Sequence, residues 1–384
     1  MVSDRVKGVE LSKTLEIDAK VKSLIEKDKD VINLGVGEPD FNTPDNIKEA
    51  AIRSIRENFT KYTNSSGVAD LREQIAVKLK RENKIDCTAQ QIVVSCGAKH
   101  SLINALLAIL NKGDKALIPV PYWTSYPEQV KICEAIPVFL ETDDFKLSAE
   151  TFENSINDRT KVLFLNSPNN PTGAVYSRKE LQGIADIAIE NKIYVISDEV
   201  YEKLVYDEEQ VSIASLNEEI KELTITINGV SKAYAMTGWR ICYLMANKEI
   251  ADSVAKIQSH MTSNPNSIAQ KAALEALKGS QDEIRKMIKE FKKRRNAMLN
   301  GLKEIGGISC RKPEGAFYMF PNVSELYNDR IKSSLDLSEF LLDKAKVATV
   351  PGAAFGADNY IRLSYTASIE KINTAIDRIK NLLK

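Results

Sequence analysis

From about residue 90 the chain alternates short apolar runs with helix-like segments. The runs fall at 92–95, 116–119, 136–139, 162–166, 193–197, 223–227 and 241–246. A short run rich in Val, Ile and Leu suits a strand buried on both faces, and parallel strands of that kind are joined by helices. The spacing therefore predicts an α/β chain with a mostly parallel, seven-stranded, doubly wound sheet covered by helices on both faces. Ligands of such sheets sit beyond the carboxyl ends of the strands. The residues that close each run are thus the candidates for chemistry.

Several strand ends carry suggestive residues. Ser95-Cys96-Gly97-Ala98-Lys99-His100 joins a strand to an apolar helix. A glycine at a helix start leaves amides free for a phosphate, although many helices begin this way. Pro121-Tyr122-Trp123 follows the next run, and its indole either stacks on a flat ring or fills the core. Asn166–Gly173, NSPNNPTG, is a rigid turn, followed by a capping box from Ser177 to Glu180. Asn170 is either a donor to a ligand oxygen or plain turn chemistry. Asp198, in SDEVY, is costly to bury without a partner. A protonated pyridine nitrogen would be one such partner, and a helix cap is the alternative. After the run at 223–227 comes NGVSKAYAMTGWR. Its Lys232 becomes a nucleophile towards an aldehyde when burial or nearby cations lower its proton affinity. Its Arg240 offers a planar fork for a phosphate dianion. Alone, the two read as solvated charges. With the other strand ends they suggest a Schiff-base site for a phosphorylated aldehyde such as pyridoxal 5′-phosphate.

The rest of the chain adds fewer signals. Leu15, Ile17, Val21, Leu24 and Ile25 fall on one face of a helix expected over 11–28, and a second helix is expected around 44–57. Gly37, before Glu38-Pro39, marks a turn where backbone approaches a ligand, or a mere loop. Tyr62, in a polar loop, is either partly buried surface or a ligand contact. A charged helix spans 281–306. Its Lys292-Lys293-Arg294-Arg295 run, with no aromatics interleaved, reads as a solvated face and not a nucleic-acid patch. Arg362 lies in an apolar strand and needs an anion, from a protein carboxylate or a substrate. The 53 basic and 53 acidic residues give a formal net charge of +0, so nothing global steers the chain to nucleic acid or an anionic membrane. No apolar run reaches membrane-span length. Five scattered cysteines suit a reducing cytoplasm, and two histidines leave little for a metal site.

In chain order, NSPNNPTG, SDEVY, SKAYAMTGWR and IRLSY resemble the motifs of the class I/II aminotransferases, which are fold type I pyridoxal phosphate enzymes. The similarity runs from GEPDFNTP at 37–44 to the C-terminal helix, and within the family it is greatest to the bacterial aspartate aminotransferases of subgroup Iγ. The resemblance implies an N-terminal arm and part of a small domain over 1–45, a large cofactor domain over 46–285, and a small α+β domain over 286–384. It implies that Lys232 binds the cofactor aldehyde and then moves the substrate proton, that Asp198 holds the pyridinium proton, and that Tyr201 and Asn170 bind the ring oxygen. Trp123 would stack on the ring. Arg240, with Gly97, Ala98 and Lys99 at the helix start, would hold the phosphate. Tyr62 would reach the phosphate of a neighbouring subunit, making a homodimer with shared sites. Arg362 would grip the substrate α-carboxylate under the Gly37 turn.

Two departures stand out. Gly229 occupies a position that often carries a hydroxyl, so that phosphate contact is either missing or taken over by Ser231. Glu10 lies where some relatives have a lysine, which argues against prephenate-like substrates. Lys99 points to dicarboxylic substrates. The implied reaction is ping-pong transamination between L-aspartate and 2-oxoglutarate. The alternatives are a broader aromatic or alanine-type aminotransferase, and a C–S lyase on the same fold. A cofactor-binding regulatory module would need an added DNA-binding domain, for which the chain has no room.

Overall fold

The computed structural model describes residues 2–11, Val21, Ser23 and 30–384. The helix expected over 11–28 therefore lies almost wholly outside the described residues, although Val21 is buried beside Leu342 and Ala348. Strand β1 (Ile32–Asn33) belongs to the carboxy-terminal part of the molecule. The seven expected runs form β2 (Ile92–Ser95), β3 (Lys115–Pro119), β4 (Ile136–Leu140), β5 (Thr160–Asn166), β6 (Tyr194–Asp198), β7 (Thr224–Gly229) and β8 (Cys242–Met245). They make one sheet of order β2-β8-β7-β6-β5-β3-β4. Strand β8 is antiparallel to both neighbours and the other pairs are parallel. The edge strand β4 leaves Ile136 and Phe139 exposed, whereas β2, β7 and β8 are buried throughout.

Helices cover both faces, which is why the runs are continuously apolar. On one face, Leu102, Ala105 and Leu106 of helix Ala98–Ile109 pack with Val93, Ile225, Ile227 and Leu244. On the other, Leu181, Ile184 and Ala188 of helix Arg178–Glu190 pack with Leu163 and Val195. Each fully buried Leu, Ile or Val contributes about 1.5–3 kcal/mol relative to exposure. The expected capping box is present: Ser177 Oγ accepts from the Glu180 amide at 3.3 Å, and Glu180 Oε2 accepts from the Ser177 amide at 2.6 Å. The chain runs out from β3 to the β4 edge and then crosses back to β5. The crevice at the carboxyl ends of β3 and β5 is therefore a switch point that opens at the ligand end of the sheet.

The carboxy-terminal part contains β9 (Tyr318–Met319), β10 (Val347–Ala348), β11 (Val350–Pro351) and β12 (Ile361–Ser364). Strands β11, β12 and β9 form an antiparallel sheet, and β10 pairs in parallel with β1. Phe291, Met298 and Leu302 of helix Asp282–Lys303 pack with Phe317 and with Ile372, Ala375 and Ile379 of helix Ile369–Leu382. Tyr201 and Leu204, from the loop after β6, join the same core.

The Lys292–Arg295 run corrects the expectation of a solvated face. Lys293 is exposed, but Arg294 and Arg295 are buried. The helical turn directs half the run inward, and each buried arginine meets a carboxylate. Arg294 NH1 is 2.7 Å from Asp40, and Arg295 NH1 is 2.8 Å from Asp207. Among the described residues, no helix is long and apolar enough to cross a membrane.

Candidate active site

Five loops at one end of the sheet, after β2, β3, β5, β6 and β7, converge with Arg362 of β12. Lys232 follows β7, and its Nζ donates to the Gly37 carbonyl at 2.6 Å. Burial pushes its proton affinity down to about 8, with Arg362 and Arg240 acting in the same direction. Asp198 ends β6 and is buried. Its Oδ2 accepts from the Tyr126 hydroxyl at 2.7 Å, and its Oδ1 from the Val200 amide at 3.3 Å. Burial pushes this carboxyl up to about 6, while those two donors and the Lys232 charge act against the rise. No helix follows Asp198, so it is not a helix cap.

Tyr201 is buried with its hydroxyl 2.9 Å from that of Tyr318. Burial holds its pKa well above the ordinary phenol value, so it stays protonated. Arg362 is buried between the rings of Tyr318 and Phe355, 4.4 Å and 5.0 Å from their centroids. Its NH2 donates to the Gly35 carbonyl at 2.8 Å, and its NH1 to Asn170 Oδ1 at 3.0 Å. Its Nε has no partner among the described residues. The Asn170 amide donates to Asn166 Oδ1 at 2.8 Å. The turn is thereby fixed, and the bond from Arg362 sets which end of the Asn170 side chain remains a donor.

Arg240 adopts a left-handed backbone, φ 57, and donates to the Thr237 carbonyl at 2.9 Å. A Cβ on Gly97 would lie 2.1 Å from its NH2. Gly97, at φ +92, therefore lets the guanidinium rest on the start of helix Ala98–Ile109, beside the amides left free there. Gly229 has a packing reason: its Cβ would lie 2.3 Å from Cys242 Sγ. Cys242 thus excludes a side chain at 229, and its sulfur sits 3.5 Å from Ser231 Oγ.

Trp123 meets Tyr126 edge-on, with centroids 5.5 Å apart. Lys99 is exposed at the mouth, with its Nζ 5.2 Å from the Trp123 ring. Partial desolvation, then the Arg240 charge, lowers its proton affinity. A cavity of about 420 Å³ opens there, lined by Glu10, Lys99, Tyr122, Glu128 and Ala353 among others. The Glu10 amide donates to Glu128 Oε2 at 2.8 Å. Tyr62 stands apart from this group and is 89% exposed.

Sequence reasoning missed Tyr126 and Tyr318, which fix Asp198 and Tyr201, and also missed the Gly35 carbonyl. The available signal was a tyrosine three residues after Trp123, and another inside the apolar run Phe317–Phe320.

The model of the family "Aminotransferase class I and II" matches residues 29–379. An aspartate aminotransferase of Bacillus sp. (strain YM-2) is 46% identical, covering 100% of this chain and 99% of its own length. A "Probable aspartate/prephenate aminotransferase" of Aquifex aeolicus (strain VF5) is 48% identical, covering 100% of this chain and 98% of its own. The structure of Thermus thermophilus aspartate aminotransferase with maleate superposes with a TM-score of 0.96 at 38% identity, covering 100% of both chains.

Proposed function

The chain belongs to the class I and II aminotransferases, and from that premise we propose that this enzyme transfers the amino group of L-aspartate to 2-oxoglutarate, with pyridoxal 5′-phosphate as its resident cofactor. The observation that carries the reading is a set of cations at one sheet end. Lys232, Arg240, Arg362 and Lys99 form no ion pair with a carboxylate among the described residues, and Lys232 stands within electrostatic range of the buried acid Asp198. The residues fit the cofactor. At Gly97 a Cβ would collide with the Arg240 guanidinium, so the glycine lets a cation sit beside the amides of the helix start, as a phosphate requires. The buried, partnerless Nε of Arg362 calls for an anion.

Bound there, pyridoxal phosphate supplies an aldehyde and an electron-accepting ring. Lys232 would hold that aldehyde and give it up to an incoming amine. Its free amine then moves the substrate proton, and a proton affinity near 8 keeps a neutral fraction available. Asp198 keeps a proton on the ring nitrogen, which gives its buried charge a partner. Tyr201 and the Asn170 side-chain amide donate to the ring oxygen, and Trp123 covers the ring face. Arg240, Ser231 and the Gly97-Ala98-Lys99 turn hold the phosphate. Arg362 clamps the α-carboxylate beside Gly37, which fixes the bond to be broken. Lys99 takes the second carboxylate at the mouth. Glu10 and Glu128 line the same cavity, and their negative charge disfavours bulkier dianions such as prephenate.

The same reading makes the protein a homodimer, with the exposed Tyr62 reaching the phosphate of the other subunit. It divides the chain at residues 45 and 285, and it places the protein in the cytoplasm, where its free cysteines are at home. An amino-donor panel read by the cofactor's visible absorbance tests the substrate. Aspartate should convert the lysine-bound chromophore to the amino form fastest. Faster conversion by alanine or phenylalanine would refute the dicarboxylate preference, and a protein that takes up no chromophore would refute the cofactor.

A further inference from the structure

Behind the site, the segment after β6 carries a second set of charged groups that the reaction does not use. Asp198 and Tyr201 face the site, while Glu199 and Glu202 turn to the opposite side. Glu199 is 1% exposed. Its Oε1 accepts from Ser197 Oγ at 2.8 Å and from Ser212 Oγ at 2.6 Å, and its Oε2 accepts from Asn83 Nδ2 at 3.2 Å. Asn83 Nδ2 also donates to Glu202 Oε2 at 2.6 Å, and Asn83 Oδ1 accepts from Lys78 Nζ at 2.7 Å. Lys78 is 1% exposed and is ion-paired with Glu202. Glu82 lies 3.8 Å from Lys78 and is itself paired with Lys203. Tyr234 and Tyr243 stand within electrostatic range of Glu202.

The local backbone explains how Lys78 and Asn83 meet. Helix Ala69–Lys78 runs into a wider π-helical turn, Leu79–Asn83, which ends at the left-handed Lys84. Residues five apart do not share a face in an α-helix, but a π turn brings them closer together. The turn therefore makes a two-armed clamp. Lys78 neutralises Glu202, and Asn83 bridges Glu202 to Glu199, the immediate neighbour of Asp198.

We infer that Lys78 and Asn83 are positioning residues for the reaction, holding the Asp198–Tyr201 segment from behind through Glu199 and Glu202. The inference rests on the function proposed above for Asp198 and Tyr201. A buried clamp suits that task, because a shift of about 1 Å in groups that orient the reacting atoms can cost about 100-fold in rate. It also places a compensated charge cluster directly behind the acid that governs the cofactor.

The test uses the protein loaded with pyridoxal phosphate. Asn83→Ala should lower kcat about 10- to 100-fold while KM for aspartate stays within about twofold, since substrate contacts are untouched. Lys78→Met leaves uncompensated negative charge behind the site. It should raise the pH midpoint of the bound chromophore by about half a pH unit, because nearby negative charge favours protonated forms. Lys78→Met/Glu202→Gln restores the charge balance and should return the midpoint to the wild-type value. The inference is overturned if the variants lose thermal stability while kcat and midpoint stay at wild-type values, or if the double variant leaves the midpoint displaced. Should Lys78→Met fail to fold, the double variant and Asn83→Ala decide the matter by kcat. A wild-type protein that binds no chromophore would instead overturn the underlying functional reading.

Discussion

Arg295 and Arg362 are both buried and both lie among aromatic rings, yet the molecule treats them in opposite ways. Arg295 is ion-paired with Asp207, donates to the Pro313 carbonyl at 3.0 Å and lies 4.8 Å from the Tyr206 ring. Lys292 and Lys312, together with Arg295, hold the Asp207 carboxyl well below the usual range. Among the described residues, Arg362 has only uncharged acceptors, the Gly35 carbonyl and Asn170, and one donor without a partner. Lys78 and Lys232 repeat the contrast, the first paired with Glu202 and the second donating to a peptide oxygen. A buried cation is costly unless an anion meets it. Where the protein supplies that anion, the cation serves the fold. Where it does not, the anion has to come from a ligand.

Experiments on both kinds of cation would break or sharpen this contrast. Lys232→Ala should lower kcat about 10⁵-fold, the scale seen when the central group of a catalytic set is removed. Borohydride should then no longer fix the cofactor to the chain, and fixation at another lysine would refute its assignment. Next in size, Arg362→Met should lower kcat/KM for aspartate about 10³-fold with melting temperature unchanged or raised, because an uncompensated charge is gone. Arg295→Met should do the reverse, costing about 2–4 kcal/mol of stability with kcat/KM within about threefold of wild type. If both variants lost stability equally, the division between the two kinds of cation would fail.

Tyr126→Phe removes a donor to the Asp198 carboxylate. It should raise that carboxyl further above about 6 and lower kcat about tenfold, seen as a shift in the chromophore's pH titration. The smallest effect concerns the cofactor-free protein. The nucleophile is the neutral amine, so uptake of pyridoxal phosphate should speed up about fivefold between pH 7 and 8 and level off above that. Lys232 has a lower proton affinity folded than unfolded, so the folded state binds fewer protons between about 8 and 10.5. Cofactor-free stability should accordingly rise with pH in that window, and Lys232→Met should flatten the rise.

The sheet was legible because all its strands but the β4 edge are largely buried, which forces mostly apolar, β-branched runs at regular spacing. The reversed direction of β8 was not, since an apolar run has the same composition in either direction. Lys232, Asp198 and Arg362 stood out as charges set against apolar surroundings. Tyr126 and Tyr318 did not, because a tyrosine ring is at home in a core and only its hydroxyl partner reveals a task. The same limit applied to Arg294 and Arg295. A run of four charges looks solvated until Asp40 and Asp207, both far away in sequence, are seen to meet it. Glu199 and Asn83 were invisible for the same reason, being 116 residues apart.

Lys232 and one arm of Arg362 are held by oxygens that belong to the peptide links of Gly37 and Gly35. No exchange of one amino acid for another can delete them. Only adding or removing a link of chain would displace both acceptors at once. In the history of such a protein, the stretch between Leu34 and Pro39 should therefore be far stricter about its length than about its spelling.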